Sequence, residues 1–188
     1  MDKFLIWGGV RLQGRVTVGG AKNAALPIIA ASLLSDGEVN IDGVPNLENV
    51  YTMCAILRCL GADVRSEGRR VRVRPGEVGD VEAPYELARR MRASLLVMGP
   101  VLAKSGAIRI CLPGGCAIGA RPVDLHLKGL EALGAEISLM HGHVKARAAR
   151  GLIGSSIYLD FPSVGATENI MTAAVLAKGT TVIENAAQ

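Results

Sequence analysis

Aromatic side chains are scarce: one Trp, three Tyr and two Phe make up 3% of 188 residues. Grooves for single-stranded nucleic acid stack bases on such rings, so nucleic acid is not expected as a partner. Long apolar runs are missing too. The longest, from Ala24 to Leu34, falls far short of the roughly 20 residues that cross a bilayer, and no membrane association is expected. The opening Met1-Asp2-Lys3-Phe4 carries an acid and leads into no long apolar signal core, which points to a cytoplasmic protein. Histidines number three and cysteines four. Without an export signal the cysteines are expected to be free thiols. Their spacings, 54/59 and 111/116, are not those of a zinc knuckle, so neither metal nor cofactor is expected.

What is present excludes a disordered tail. Hydrophobic residues form 49% of the chain, enough to bury a sizeable core. Glycine is abundant, 23 residues or roughly 12% against a usual value of about 7%, which implies tight turns or close backbone approaches. Lys plus Arg is 21 and Asp plus Glu is 17, a formal charge of +4 that favours anionic partners.

An internal repeat organises the chain. Leu33-Leu34-Ser35-Asp36-Gly37-Glu38-Val39, Leu102-Ala103-Lys104-Ser105-Gly106-Ala107-Ile108 and Val175-Leu176-Ala177-Lys178-Gly179-Thr180-Thr181 each end an apolar run, pass a glycine and begin an alternating segment. The glycines are 106 − 37 = 69 and 179 − 106 = 73 apart. Leu60-Gly61-Ala62 and Leu133-Gly134-Ala135 repeat at 134 − 61 = 73. Each unit reads as helix, strand, helix, two strands. The first helices are predicted over 24–34, 86–104 (kinked at Gly99-Pro100) and 166–178; being apolar nearly all round, they are expected to be buried. The second helices are amphipathic, with stripes Leu47, Val50, Met53, Leu57, Leu60 and Val123, Leu127, Leu130, Leu133. Hairpins are predicted around Ser66-Glu67-Gly68 and His141-Gly142-His143. Helices packed on sheets give an α/β or α+β architecture. The third unit lacks its amphipathic helix and hairpin, so these residues are expected to be the N-terminal part of a longer protein or to need a partner.

The starts of the buried helices are basic. Lys22 and Asn23 precede the first, and Arg89, Arg90 and Arg92 open the second. The offset 92 − 69 = 23 puts Arg92 in register with Asn23. Cations beside free helix N–H groups make a site for phosphate or carboxylate; Arg89 and Arg90 read equally well as a solvated cluster. The segment Leu112-Pro113-Gly114-Gly115-Cys116-Ala117-Ile118-Gly119-Ala120-Arg121-Pro122-Val123-Asp124 is the second focus. Either it is a mobile loop whose thiol Arg121 and the next helix N-terminus activate, or a surface loop with an incidental cysteine. Cys54, Cys59 and Cys111 read as inert. His126 reads as a solvated surface histidine. The run from Arg65 to Arg74 reads as a solvated edge that deters sheet pairing.

Four motifs resemble the UDP-N-acetylglucosamine enolpyruvyl transferase family: Gly20-Ala21-Lys22-Asn23-Ala24-Ala25-Leu26-Pro27, Met91-Arg92-Ala93-Ser94, the Cys116 segment continued through Leu125-His126, and Ser163-Val164-Gly165-Ala166-Thr167. The resemblance runs from Met1 to Gln188 in one register. It implies an inside-out α/β barrel in which two lobes each hold three helix-and-sheet units around buried helices. Residues 1–21 would be strands belonging to the second lobe. Residues 22–188 would form an incomplete first lobe of two full units and part of a third.

It also implies a reaction. The enolpyruvyl group of phosphoenolpyruvate moves to the 3-hydroxyl of UDP-N-acetylglucosamine, releasing phosphate, at the first committed step of peptidoglycan synthesis in the bacterial cytoplasm. By resemblance Cys116 protonates the phosphoenolpyruvate methylene and is the thiol fosfomycin alkylates. Lys22 and Arg121 hold the phosphate and carboxylate, Asn23 contacts sugar and phosphoenolpyruvate, and Arg92 belongs to the UDP-sugar site. Arg121, Pro122, Val123, Asp124 and Leu125, with Ser163, Val164 and Gly165, contact uridine and diphosphate. The family's general base and further arginines come from a C-terminal lobe. These 188 residues alone are therefore expected to turn over little or nothing, since a lost base costs roughly 10²–10⁴-fold. The alternative is a non-catalytic module that binds a UDP-sugar or another anion.

Overall fold

A computed structural model of the chain describes residues 3–76, 85–88, 91–112, 123–140 and 142–187. The first unit begins with α1 (Lys22–Ala31), which tightens into a 3₁₀ turn (Ser32–Leu34). Strand β1 (Val39–Asp42), helix α2 (Glu48–Cys59) and the hairpin β2 (Asp63–Glu67) to β3 (Arg70–Arg74) follow. The sheet order is β1-β3-β2, antiparallel throughout, with Val73 opposite both Val39 and Val64. Side chains alternate across a strand, so Val64, Val71 and Val73 enter the core while Arg70 and Arg74 face outward.

The second unit repeats this plan. After the short α3 (Tyr85–Ala88), a 3₁₀ helix (Arg92–Val97) leads into α4 (Met98–Ser105), then β4 (Ala107–Cys111) and α5 (Asp124–Ala132). The hairpin β5 (Glu136–Met140) to β6 (His143–Arg147) completes a sheet of order β4-β6-β5, the counterpart of the first. Ile108, Ile110, Val144 and Ala146 are its buried face. The third unit contributes β7 (Ser156–Tyr158), α6 (Val164–Ala174) and β8 (Val182–Glu184), with β7 and β8 parallel.

The helix predicted over 86–104 is broken in three. Met91 is extended (φ −138°, ψ 121°), and the buried Ser94 hydroxyl donates to the Ala88 carbonyl at 2.9 Å across the break. A side chain that caps a neighbouring turn competes with continuous helix. Gly99-Pro100 is no kink either: both residues sit in the first turn of α4, where the missing proline N–H costs nothing. The hairpins and both amphipathic helices lie where the pattern puts them; Leu47, one residue before α2, is partly exposed.

Burial of the first helices is uneven. Helix α4 with its 3₁₀ lead packs between α1 and α6, and Met98 to Leu102 are all buried. The outer two each keep an open side, where Ile28 on α1 and Met171 on α6 are half exposed. Lys104 ties the units together by donating to the Leu34 and Ser35 carbonyls and pairing with Asp36 at 3.1 Å. Two glycines let α6 dock. A Cβ on Gly99 would stand 2.3 Å from the Asn169 carbonyl oxygen, and one on Gly129 would stand 2.1 Å from Ile170 Cδ1.

The arginine run is not an edge. Arg70, Arg72 and Arg74 lie on β3, the central strand, because β1 returns across the sheet to pair beyond it. Of the three, Arg70 is paired locally, its Nε meeting Asp42 Oδ1 at 2.5 Å. Only the Arg65 end of the run is on the edge strand β2, where Arg65 pairs with Asp63. Residues 3–20 carry neither helix nor strand and are exposed throughout, including Phe4, Trp7, Leu12 and Val16. Among the described residues no helix is long and apolar enough to cross a membrane.

Candidate functional site

The three first helices start at one place. Asn23 from α1, Ala93 and Leu96 from the 3₁₀ helix, His126 from α5, and Ser163, Gly165 and Glu168 from α6 line a cleft of about 250 Å³. The repeat explains the convergence. Asn23 and Arg92 are equivalent by the first offset, and 165 − 73 = 92 brings Gly165 into the same register. The first and third units therefore deliver the same helical position to the cleft, and the second delivers Ala93, one residue past it.

The electrostatics favour an anion. The first N–H groups of a helix lack internal partners and carry the positive end of its dipole. Neither α1 nor α6 has an acid in its first turn. Ser163 caps α6, its Oγ accepting from the Ala166 N–H at 3.4 Å. That cap leaves the N–H groups at the very start of α6 pointing out of the helix beside the cleft. Lys22, the first residue of α1, is exposed next to Asn23.

His126 is buried, not solvated as its place in α5 suggested. It is 6% exposed, and its Nδ1 lies 3.1 Å from Nδ2 of the fully buried Asn169 on α6. Asn169 Oδ1 in turn accepts from the Gly99 N–H at 2.7 Å. Glu168 reaches the cleft from the next position, and burial pushes its carboxyl above the usual range. His126 was misread because α5 was taken to have one buried face, and Asn169 and Glu168 on α6 were missed with it. It packs on α6 as well as on β5 and β7, so Leu125, His126, Leu127, Gly129 and Leu130 are all buried. Gly129 and Gly165, small residues where a second helix approaches, were the available signal.

The other predicted residues divide. Asn23, Ser163 and Gly165 meet in the cleft. Val164 is largely exposed beside them. Val123 is half-buried just before α5, and Asp124 opens that helix exposed to solvent. Leu125 is a core residue, 2% exposed, so contact with a ligand could come only from its backbone. Cys116, Arg121 and Pro122 lie outside the described residues, as do Arg89, Arg90, His141 and the side chain of Arg92. Of the remaining thiols, Cys54 and Cys111 are buried and Cys59 is exposed. Among the described residues no three His, Cys, Asp or Glu side chains are grouped to share a metal ion.

The family model of EPSP synthase (3-phosphoshikimate 1-carboxyvinyltransferase) matches residues 6–188. The UDP-N-acetylglucosamine 1-carboxyvinyltransferase 2 of Carboxydothermus hydrogenoformans is 62% identical over 189 residues, covering 100% of this chain and 45% of that protein. The UDP-N-acetylglucosamine 1-carboxyvinyltransferase 1 of Caldanaerobacter subterraneus subsp. tengcongensis is 56% identical over 186 residues, covering 99% and 44%. The chain thus spans under half the length of these relatives. Among solved structures, the enolpyruvyl transferase NikO from Streptomyces tendae superposes with a TM-score of 0.78 at 23% identity, over 94% of this chain and 41% of that one. An EPSP synthase from Acinetobacter baumannii gives 0.71 at 19% identity, over 90% and 40%. These likenesses show the fold: the inside-out α/β architecture of the enolpyruvyl transferases, repeated helix-and-strand units around buried helices.

Proposed function

The chain belongs to the EPSP synthase family of enolpyruvyl transferases, and on that premise we propose that it forms the UDP-N-acetylglucosamine side of a transferase active site. The reaction would carry the enolpyruvyl group of phosphoenolpyruvate to the sugar 3-hydroxyl and release phosphate, the first committed step of peptidoglycan synthesis. The observation that carries this reading is the meeting of three repeat-equivalent helix starts in one cleft. A helix N-terminus is a ready anion site, and a nucleotide diphosphate needs several donors converging on it. High identity to relatives named for this sugar nucleotide supports it over other anions.

In this reading Ser163, Val164 and Gly165 hold the diphosphate at the start of α6. Arg121, Pro122, Val123, Asp124 and Leu125 border the uridine, Leu125 through its backbone. Lys22 and Arg121 grip phosphoenolpyruvate, Asn23 stands between the two substrates, and Arg92 faces the UDP-sugar. Cys116 protonates the methylene carbon as the oxocarbenium-like centre develops, and fixed cations stabilise the adjacent phosphate. Residues 1–21 go with a second lobe, which also provides the general base. Such a lobe would cover the apolar side chains of residues 3–20 that now face solvent.

Calorimetry with UDP-N-acetylglucosamine tests the binding half. The expected result is saturable 1:1 binding that Ser163→Ala and Asn23→Ala weaken. Phosphate release tests the catalytic half, in a fusion of these residues to the remaining length of the Carboxydothermus protein. Turnover abolished by Cys116→Ala is expected; a folded fusion that binds both substrates yet releases no phosphate would reduce the chain to a binding module.

A further inference from the structure

We infer that Asn169 is a positioning residue for the cleft: it holds His126 as the neutral tautomer protonated on Nε2, so that the ring turns an N–H donor toward an oxygen of the bound nucleotide diphosphate. The ligand in this statement rests on the function proposed above. The tautomer rests on geometry alone.

The argument starts at α4. Gly99 is its second residue, where the 3₁₀ helix passes into α4. The Gly99 N–H donates to Asn169 Oδ1 at 2.7 Å, inside the core. A backbone N–H can only donate, which fixes the orientation of the amide. Turning it over would set two donors against each other at van der Waals range, since α4 and α6 approach closely enough here to require a glycine. The amide NH₂ must therefore be the group that faces His126 Nδ1 at 3.1 Å. An amide NH₂ is likewise only a donor, so Nδ1 must present its lone pair, and the proton of the neutral ring is on Nε2. An imidazolium would bring N–H against N–H in a buried setting.

The far edge of the ring faces the right place. The ring atoms closest to a Cβ built on Gly165 are Cε1 at 3.2 Å and Nε2 at 3.4 Å. Nε2 thus lies beside the first turn of α6, where the helix N-terminus would hold phosphate, and Nδ1 lies behind it against Asn169. Among the described residues, Glu168 on α6 is the titratable group sharing the cleft, and Lys22 on α1 stands next to Asn23 at its border. On α5 itself Asp124 and Glu131 are exposed, and Lys128 is engaged by Asp160 at 2.9 Å.

Nitrogen NMR of the ¹⁵N-labelled chain is the test. Three histidines give three ring systems, and His126→Gln identifies the relevant one. The expected spectrum shows Nε2 protonated, Nδ1 bare, and a ring still neutral at pH values where an exposed histidine is half protonated, about 6.5. Uridine diphosphate should shift the Nε2–H resonance, and its affinity should not change through that pH range on account of this ring. Asn169→Asp keeps the side-chain size but replaces the NH₂ by an acceptor. It should draw a proton onto Nδ1, raise the titration of His126 above that of an exposed histidine, and make uridine diphosphate affinity fall as pH rises through it. If Asn169 were purely structural and the ring did not reach the ligand, the carboxylate would still raise the ring's titration, but uridine diphosphate affinity would keep its wild-type pH dependence.

A wild-type ring protonated on Nδ1, or one that titrates like an exposed histidine, overturns the inference without any variant. Uridine diphosphate that binds and leaves Nε2–H unmoved overturns the donor role. Failure of uridine diphosphate to bind, with the Nε2–H tautomer intact, overturns the nucleotide reading of the cleft and with it the donor role, while leaving the Asn169–His126 relationship standing.

Discussion

Gly99 and Asn169 face each other across the α4–α6 contact so closely that one added carbon would lie 2.3 Å from the asparagine carbonyl oxygen and 2.7 Å from Oδ1. The atoms it would strike belong to backbone and to a fully buried side chain, and neither can step aside cheaply. Gly99→Ala is therefore expected to destabilise the chain by about 1–3 kcal/mol, the range for overpacking a core. Urea denaturation should show a lower midpoint at an unchanged slope, because compactness is not altered. The same variant should release the His126 ring to titrate more like an exposed one.

Ser163 closes the start of α6 with a long hydrogen bond to the Ala166 N–H, 3.4 Å. Loss of an N-cap serine costs about 0.5–2 kcal/mol, and this geometry belongs at the low end. Ser163→Ala should accordingly lower stability by about 0.5–1 kcal/mol. It should weaken UDP-N-acetylglucosamine by a larger free energy than it takes from folding. Equal losses in thermal melts and calorimetry would mean that the hydroxyl caps the helix and nothing more.

Glu168 has a carboxyl that burial pushes above its ordinary value. The folded state then holds the proton more tightly than the unfolded state. The stability linked to this group is complete below the unfolded carboxylate value and is lost as pH rises through the higher folded one. At neutral pH the ionised side chain opposes folding. Glu168→Gln should give a small rise in the urea midpoint at pH 7 that vanishes at pH 4, with no gain expected from the exposed Glu131→Gln as control.

Thiol chemistry separates the cysteines. Cys54 and Cys111 are buried, and burial raises the Cys54 thiol above its ordinary value, so little thiolate is present. Cys111 also directs its sulfur to the Tyr85 carbonyl at 3.6 Å. Iodoacetamide should label exposed Cys59 in the native chain and reach Cys54 and Cys111 only in denaturant. Peptide mass mapping over time reads this directly. Labelling of Cys54 as fast as Cys59 would show that α2 opens far more readily than its packing implies. In the assembled enzyme with sugar nucleotide bound, fosfomycin should add to Cys116 alone.

The parts of the fold legible in the sequence are those set by local pattern. The stripe Val50, Met53, Leu57, Leu60 and the glycine turns at Gly68 and Gly142 need only their neighbours, and α2 and both hairpins follow from them. The Asn23–Arg92 register was legible because a repeat preserves position even where it does not preserve residue type. Long-range pairing was not. Nothing near Arg72 announces that β1 will cross to its far side and make β3 central. The break at Met91 depends on Ser94 reaching the Ala88 carbonyl, a tertiary choice that apolar periodicity does not encode. His126 fell to the same limit: its polarity reads as surface until α6 is known to lie across it.

Asn23 and Gly165, equivalent positions of the first and third units, both line the cleft. Repeating one module yields a receptacle built of similar parts, yet the ligand proposed for it has no such symmetry. These two corners have specialised differently: an amide that can both give and take a hydrogen bond, and bare main chain that lets a neighbour lie flat against the helix tip. Copying furnished the scaffold, and divergence at one recurring address furnished the selectivity.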